Sequence, residues 1–500
     1  MTIQTRTIAR HRANPIEMAN QGQYLKIFVI FFILFALLTK VEPTGWNDQS
    51  RLAQVQSLVE HGSFIIDDSK FSITGDKYFF NNHFYSDKPP ILALYAAPVY
   101  FVLKQLGFTL TEHTRSTYYL LTLLSIGVLS ALGLTVFKKI LKDFFNASDE
   151  WADITTFVTG AGTLILPYSL IFNNHVPSGV LILLGFYFFL NFKKNSGLKN
   201  AAFSGLFFSL VGGIDITCFL FIPFMLILFF RKSLQAGLTF GLSCLPAIAL
   251  YLFLNLYTSG SLIPPAMNAS LWDYPGSKFG SETLSGLANH DGAADVWFYA
   301  YHMLLGNRGL ISHTPILLLS IIGILMLYSM LYEGNQKFRY RSAYSYMLLA
   351  SLLYTASYVF RTTNYSGWAF GVRWFASLML IWCLPMTALE PKVRSSSTLR
   401  RLFLGIACLS IFISIAGAYQ PISPLAGTDL QEQLSPTNTI FVNIKLILDD
   451  FVTMFEMTSP IKEAALRIAR LGVSTFVIYF LLYKFSKNLS KSIRLDRFID

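Results

Sequence analysis

The chain has 500 residues, of which 53% are hydrophobic and 13% charged, with a mean hydropathy of +0.49. Soluble domains carry about 25% charged residues, so this balance excludes an ordinary soluble protein and points to an all-α polytopic membrane protein. The net charge of +11 resides in basic clusters within short segments between apolar stretches, which argues against a nucleic-acid surface and for orientation across a bilayer.

At the N-terminus, Arg6, Arg10 and Arg12 precede the apolar run Leu25 to Leu38, and no small-residue cleavage site follows; this reads as an uncleaved signal anchor. A polar segment, 41–116, comes next. Asn47 or Asp48 is placed to cap a helix in which Leu52, Val55, Leu58 and Val59 recur at spacings of three and four, and Gly62 ends it. That pattern describes an amphipathic helix on the membrane surface. The stretch from Phe64 to Tyr85 reads as extended or irregular, and Lys88-Pro89-Pro90 opens a second surface helix over 91–108.

Apolar spans then fall near 24–40, 117–137, 153–172, 175–191, 200–214, 216–230, 234–256, 309–331, 343–360, 373–389, 402–419 and 470–486. If 91–108 also crossed, every later basic cluster would move to the outer side, against the positive-inside tendency. The expectation is therefore about twelve crossings with both termini cytoplasmic in the cell (inner) membrane: 1–23 inside, 41–116 outside, a bundle over 117–419 with outer loops 257–308 and 361–372, an outer segment 420–469, and a last span with a basic tail over 470–500. The four cysteines, Cys218, Cys244, Cys383 and Cys408, lie in apolar stretches with no CxxC spacing, so they read as packing residues.

This topology gathers the polar features on one side. Asp48 and the pair Asp87-Lys88 sit beside the membrane, where a carboxylate takes a proton and an ammonium holds a phosphate, chemistry suited to a lipid-linked substrate. Arg308 and Arg373, each at the outer end of a span, complete a phosphate clamp. His83, His175, Asn174 and Asp215 are further candidates at the same level. Each has a plainer reading: Asp48 caps its helix, Lys88 snorkels, Arg51 pairs locally with Asp48, His83 is a solvated loop histidine, and Trp272, Tyr274, Trp297, Tyr299 and Tyr301 form an interfacial belt rather than a sugar platform.

The run Trp46, Asp48, Arg51, Ala53, Gly62 followed by Asp87, Lys88 and Pro89 resembles the first outer loop of the GT-C membrane glycosyltransferases, in particular the aminoarabinose transferase and protein O-mannosyltransferase group. The strings GNRGLISHTP (306–315) and NYSGWAFGVRW (364–374) are similar to segments of bacterial relatives in that superfamily. One departure is Asp48-Gln49, where that family often has Asp-Glu. The resemblance implies transfer of a sugar from a polyprenyl-phosphate donor to a lipid, glycan or protein acceptor on the outer face, with inversion, Asp48 as base and Lys88 on the phosphate. No cofactor is required on this reading; a divalent metal held by Asp48, Asp87 and His83 stays open. The rival classes are a flippase or transporter, which would show internal repeats and midplane charges not visible here, and a non-catalytic scaffold.

Overall fold

Long apolar runs with little polar periodicity fold into helices, and these make up the bulk of the protein. The computed structural model describes residues 15–280, 283–284, 287, 289–329, 340–422, 437–455 and 461–499, with backbone alone at 15–21, 455 and 494–499. Arg6, Arg10, Arg12, Lys337, Arg339 and parts of the expected outer segment 420–469 lie outside the described residues.

Among the described residues, five helices are long and apolar enough to cross a membrane: Thr114–Asp143, His175–Asn195, Leu234–Ser259, Ser397–Tyr419 and Ile461–Ile493. Arg373–Trp382 with Leu384–Ser395, bent by 40°, makes a sixth if the pair is one span. These coincide with six of the twelve expected spans. The others correspond to helices that are shorter, broken or less apolar, such as Gly22–Leu38, Ile216–Phe230 and Leu317–Ser329.

Helix α1 (Pro15–Leu38) leads into α2 (Trp46–His61), which starts at Gly45 and ends at Gly62, where φ is +64° and a side chain would be strained. The expected second surface helix is α3 (Ile91–Gln105), which packs on α2. Between α2 and α3 the all-α expectation needs correction. Strands β1 (Lys77–Phe80) and β2 (His83–Ser86) form an antiparallel hairpin in register Lys77↔Ser86 through Phe80↔His83. Its two-residue turn is Asn81-Asn82, at φ +49° and +64°, the left-handed pair that matches the twist of the strands and that Asn tolerates better than other side-chain-bearing residues.

Charged residues lock the bundle at two levels. Near the start of α1, the fully buried Lys138 meets Asp153 at 2.5 Å, Lys26 reaches the same carboxylate at 3.3 Å, Lys142 pairs with Asp149, and Tyr24 lies beneath Lys138, Lys139 and Lys142. At the other end of α1, Arg470 donates to the carbonyls of Leu37 and Thr39, and Lys40 donates to Tyr419 O at 2.6 Å. These cations satisfy carbonyls that helix ends leave without partners.

Candidate functional site

The 3.6-residue period gives α2 two very different faces. Asn47, Arg51 and Gln54, at i, i+4 and i+7, line a cavity of about 280 Å³, whereas Asp48, Leu52 and Val55 turn into the protein. Asp48 occupies the third helical position and is 2% exposed. Its carboxylate accepts from the N–H groups of Thr44 (2.7 Å) and Gly45 (2.9 Å) and from Tyr118 Oη (3.1 Å). Burial raises its pKa against these hydrogen bonds. Asp48, expected as the base, reaches back to cap α2 and is not among the residues that line the cavity.

The hairpin supplies the opposite wall. Because Lys77 pairs with Ser86, the next residue out on each strand, Asp76 and Asp87, emerges at the same open end. Lys88 Nζ sits 2.7 Å from both carboxylates. All three side chains are 11–13% exposed. Burial raises the Asp87 pKa, Lys88 opposes the rise and the like charge of Asp76 adds to it. Ser50, on α2, lies 2.7 Å from Ser86 Oγ and donates to Asp87 Oδ1 at 3.3 Å, which joins helix to hairpin. Gly75 permits the docking: a Cβ there would stand 2.6 Å from the Trp46 ring.

Helix ends provide the remaining walls. Arg51 Nη2 donates to Asn174 Oδ1 at 2.8 Å, just before the helix His175–Asn195. His175 Nδ1 is 3.3 Å from Asp215 Oδ2, an ion-pair distance without hydrogen-bond alignment, and Asp215 accepts from Tyr354 Oη at 3.1 Å. Arg373 enters from the loop 362–372, its N–H donating to Ser366 Oγ at 3.0 Å. Two guanidiniums that line the cavity are incompletely satisfied: Arg51 Nε and Nη1 and Arg373 Nε are buried with no partner, as are Nε and Nη2 of Arg308 outside it. Burial lowers the Arg51 pKa to about 10, so it stays cationic at neutral pH.

Of the eight expected site residues, Arg51, Asp87, Lys88, His175 and Arg373 share this cavity; Asp48, His83 and Arg308 do not line it. His83 sits at the hairpin's turn end, bonded to Asp67 at 2.7 Å. Arg308 has no exposed surface and donates to Ala369 O at 2.7 Å, so it props the loop that carries Arg373 instead of reaching the cavity. Beside it, Thr439 Oγ1 accepts from Gly371 N–H (3.0 Å) and lies 2.9 Å from His313 Nε2. Asp76, Asn47 and Gln54 were missed, although strand register would have found the first and helix period the other two. Trp272 lines the cavity, whereas Trp297 and Tyr301 are 76% and 56% exposed. Among the described residues, no cluster of three His, Cys, Asp or Glu side chains is arranged to hold a metal, and Asp48, Asp87 and His83 are not brought together as one.

No protein-family model matches the sequence, and no curated protein matches it. The fold does match a solved structure, ArnT from Cupriavidus metallidurans bound to undecaprenyl phosphate, with a TM-score of 0.52 at 12% identity, over 97% of this chain and 79% of that one. At that identity the likeness is one of fold alone, a helical architecture shared with that protein.

Proposed function

We propose that this protein is an inverting membrane glycosyltransferase that takes a sugar from a polyprenyl-phosphate donor and passes it to an acceptor on the outer face of the cell membrane, with both termini cytoplasmic. The observation that carries the reading is the pairing of two incompletely satisfied guanidiniums, Arg51 and Arg373, with an Asp76–Lys88–Asp87 group in the same cavity. Buried guanidinium N–H groups without a partner call for an anion, and a guanidinium fork matches phosphate oxygens. The fold shared with a structure holding undecaprenyl phosphate supports a lipid-borne phosphate as that anion.

In the proposed step, a hydroxyl or amine of the acceptor forms a bond to the anomeric carbon as the bond from that carbon to the phosphate oxygen breaks. The acceptor proton passes to the Asp87 carboxylate. The electron pair of the broken bond leaves with the polyprenyl phosphate, and Arg51 and Arg373 hold its added charge. Lys88 donates to Asp87 and forms an ion pair with Asp76, which leaves an N–H donor for a phosphate oxygen. A single displacement inverts the anomeric centre. Asp87 takes the role expected of Asp48 because it lines the cavity and Asp48 does not.

Purified protein in lipid nanodiscs, supplied with a radiolabelled polyprenyl-phosphate sugar and candidate acceptors, tests this. Transfer lost in Asp87→Asn with binding of bare polyprenyl phosphate retained, and binding weakened in Arg51→Met, is the expected result. The complementary arm uses proteoliposomes: movement of the labelled lipid between leaflets with no release of polyprenyl phosphate would overturn it in favour of a flippase.

A further inference from the structure

A second set of incompletely satisfied groups lines the cavity, and none of it is charged. Asn47 Oδ1 and Gln54 Oε1 flank Arg51 on the same face of α2, and Asn255 Nδ2 and Trp368 Nε1 come from other walls; all four atoms are buried without a hydrogen-bond partner. Gln54 is 4% and Asn255 3% exposed, so bulk water does not satisfy them. Two acceptors and two donors complement a set of hydroxyl groups, each of which donates once and accepts. Trp46, whose ring lies 6.2 Å from Trp368 and 6.3 Å from Phe279, adds an aromatic surface suited to the C–H face of a pyranose.

The carboxylates of the cavity already have partners. Asp76 and Asp87 share Lys88, and Asp215 accepts from Tyr354 and faces His175. None of the buried, unpartnered atoms that line the cavity is a carboxylate oxygen, so an ammonium on the sugar finds no orphaned acceptor of opposite charge there. A sugar carboxylate would compete with the phosphate for Arg51 and Arg373, the two guanidiniums among the described lining residues.

We infer that the sugar on the donor is uncharged, held through its hydroxyls by Asn47 and Gln54 beside the phosphate on Arg51. The inference rests on the proposed polyprenyl-phosphate reading and deepens it. Its test uses short-chain polyprenyl phosphates carrying glucose, galactose or mannose, each as a matched trio of the parent sugar, its 6-amino-6-deoxy form and its uronic acid. Displacement of a fluorescent polyprenyl phosphate from the purified wild-type protein is the readout, with bare polyprenyl phosphate as reference. In at least one trio the neutral member binds at least about tenfold tighter than the bare lipid, and no charged member exceeds the bare lipid. Gln54→Glu raises affinity for the amino member by about tenfold and lowers it for the neutral one. If a charged sugar binds as tightly as its neutral parent, or if no sugar improves on the bare lipid, the inference fails while the phosphate reading stands. If bare polyprenyl phosphate does not bind at all, both fail.

Discussion

Two groups of buried charge sit in different parts of this protein and are finished differently. Around the start of α1, each charge in the cluster faces an opposite one: Lys138 and Lys26 meet Asp153, and Lys142 meets Asp149. Around the cavity, Lys88 is doubly paired, yet Arg51 and Arg373 keep buried N–H groups with nothing to bond. A closed ion pair fixes helices against one another. An open one is costly to hold unless something arrives to complete it, which is why the cavity, and not the equally charged cluster near α1, reads as the site of chemistry.

The contrast breaks most readily at Asp87. Asp87→Asn is expected to lower transfer by about 10²- to 10⁴-fold, the range of a lost general base, measured as turnover per folded molecule. Its pH dependence sharpens the point. Because burial raises the Asp87 pKa, the basic form is lost as pH falls through a value above the ordinary carboxylate figure of about 3.9, and Asp76→Asn, which removes the neighbouring negative charge, moves that acidic limb to lower pH. The same shift has an opposite signature in stability: the contribution of Asp87 is present below the unfolded pKa and is lost as pH rises through the folded one.

Lys138→Met probes the closed cluster. It leaves Asp153 with Lys26 as its remaining cation and is expected to cost about 1.5–3 kcal/mol in stability, read by melting in detergent, while the molecules still folded bind polyprenyl phosphate as before. Asp48→Asn is a smaller change, about 1 kcal/mol from a weakened cap, with turnover per folded molecule close to wild type. A loss of turnover on the scale of Asp87→Asn would return Asp48 to the role of base. Of similar size in stability and with no expected effect on turnover per folded molecule, Asn82→Val places a β-branched residue at φ +64° and is expected to cost about 1–2 kcal/mol, whereas Asn82→Gly is expected to be near neutral in the same melting assay.

Much of this was legible from residue order alone. The apolar runs announced a helical membrane protein, Gly62 marked the end of α2, and Asp87, Lys88, Arg51, Arg373 and His175 were named before their meeting place was known. What misled was direction. Asp48 and Arg51 are three residues apart and look like neighbours, but Asn47, not Asp48, shares the cavity face with Arg51, since each step along a helix turns about 100°. Arg308 and Arg373 look alike in sequence as boundary arginines; only long-range contacts, such as the one from Arg308 to Ala369, separate a prop from a ligand-facing cation. The hairpin was hidden because KYFFNNHFY carries its turn signal in two asparagines instead of Asn-Gly, and without the register Asp76 had no visible link to Asp87.

That hairpin has a consequence for how the protein is made. Asp76, Asp87 and Lys88 all lie within thirteen consecutive residues, joined by one tight turn, and a hairpin of this size closes in about 1–10 μs. A ribosome adds only about 5–20 residues each second. Lys88 can therefore meet both carboxylates as soon as this stretch leaves the translocation machinery, long before the later helices exist to enclose them, so neither carboxylate has to be buried without a cation beside it.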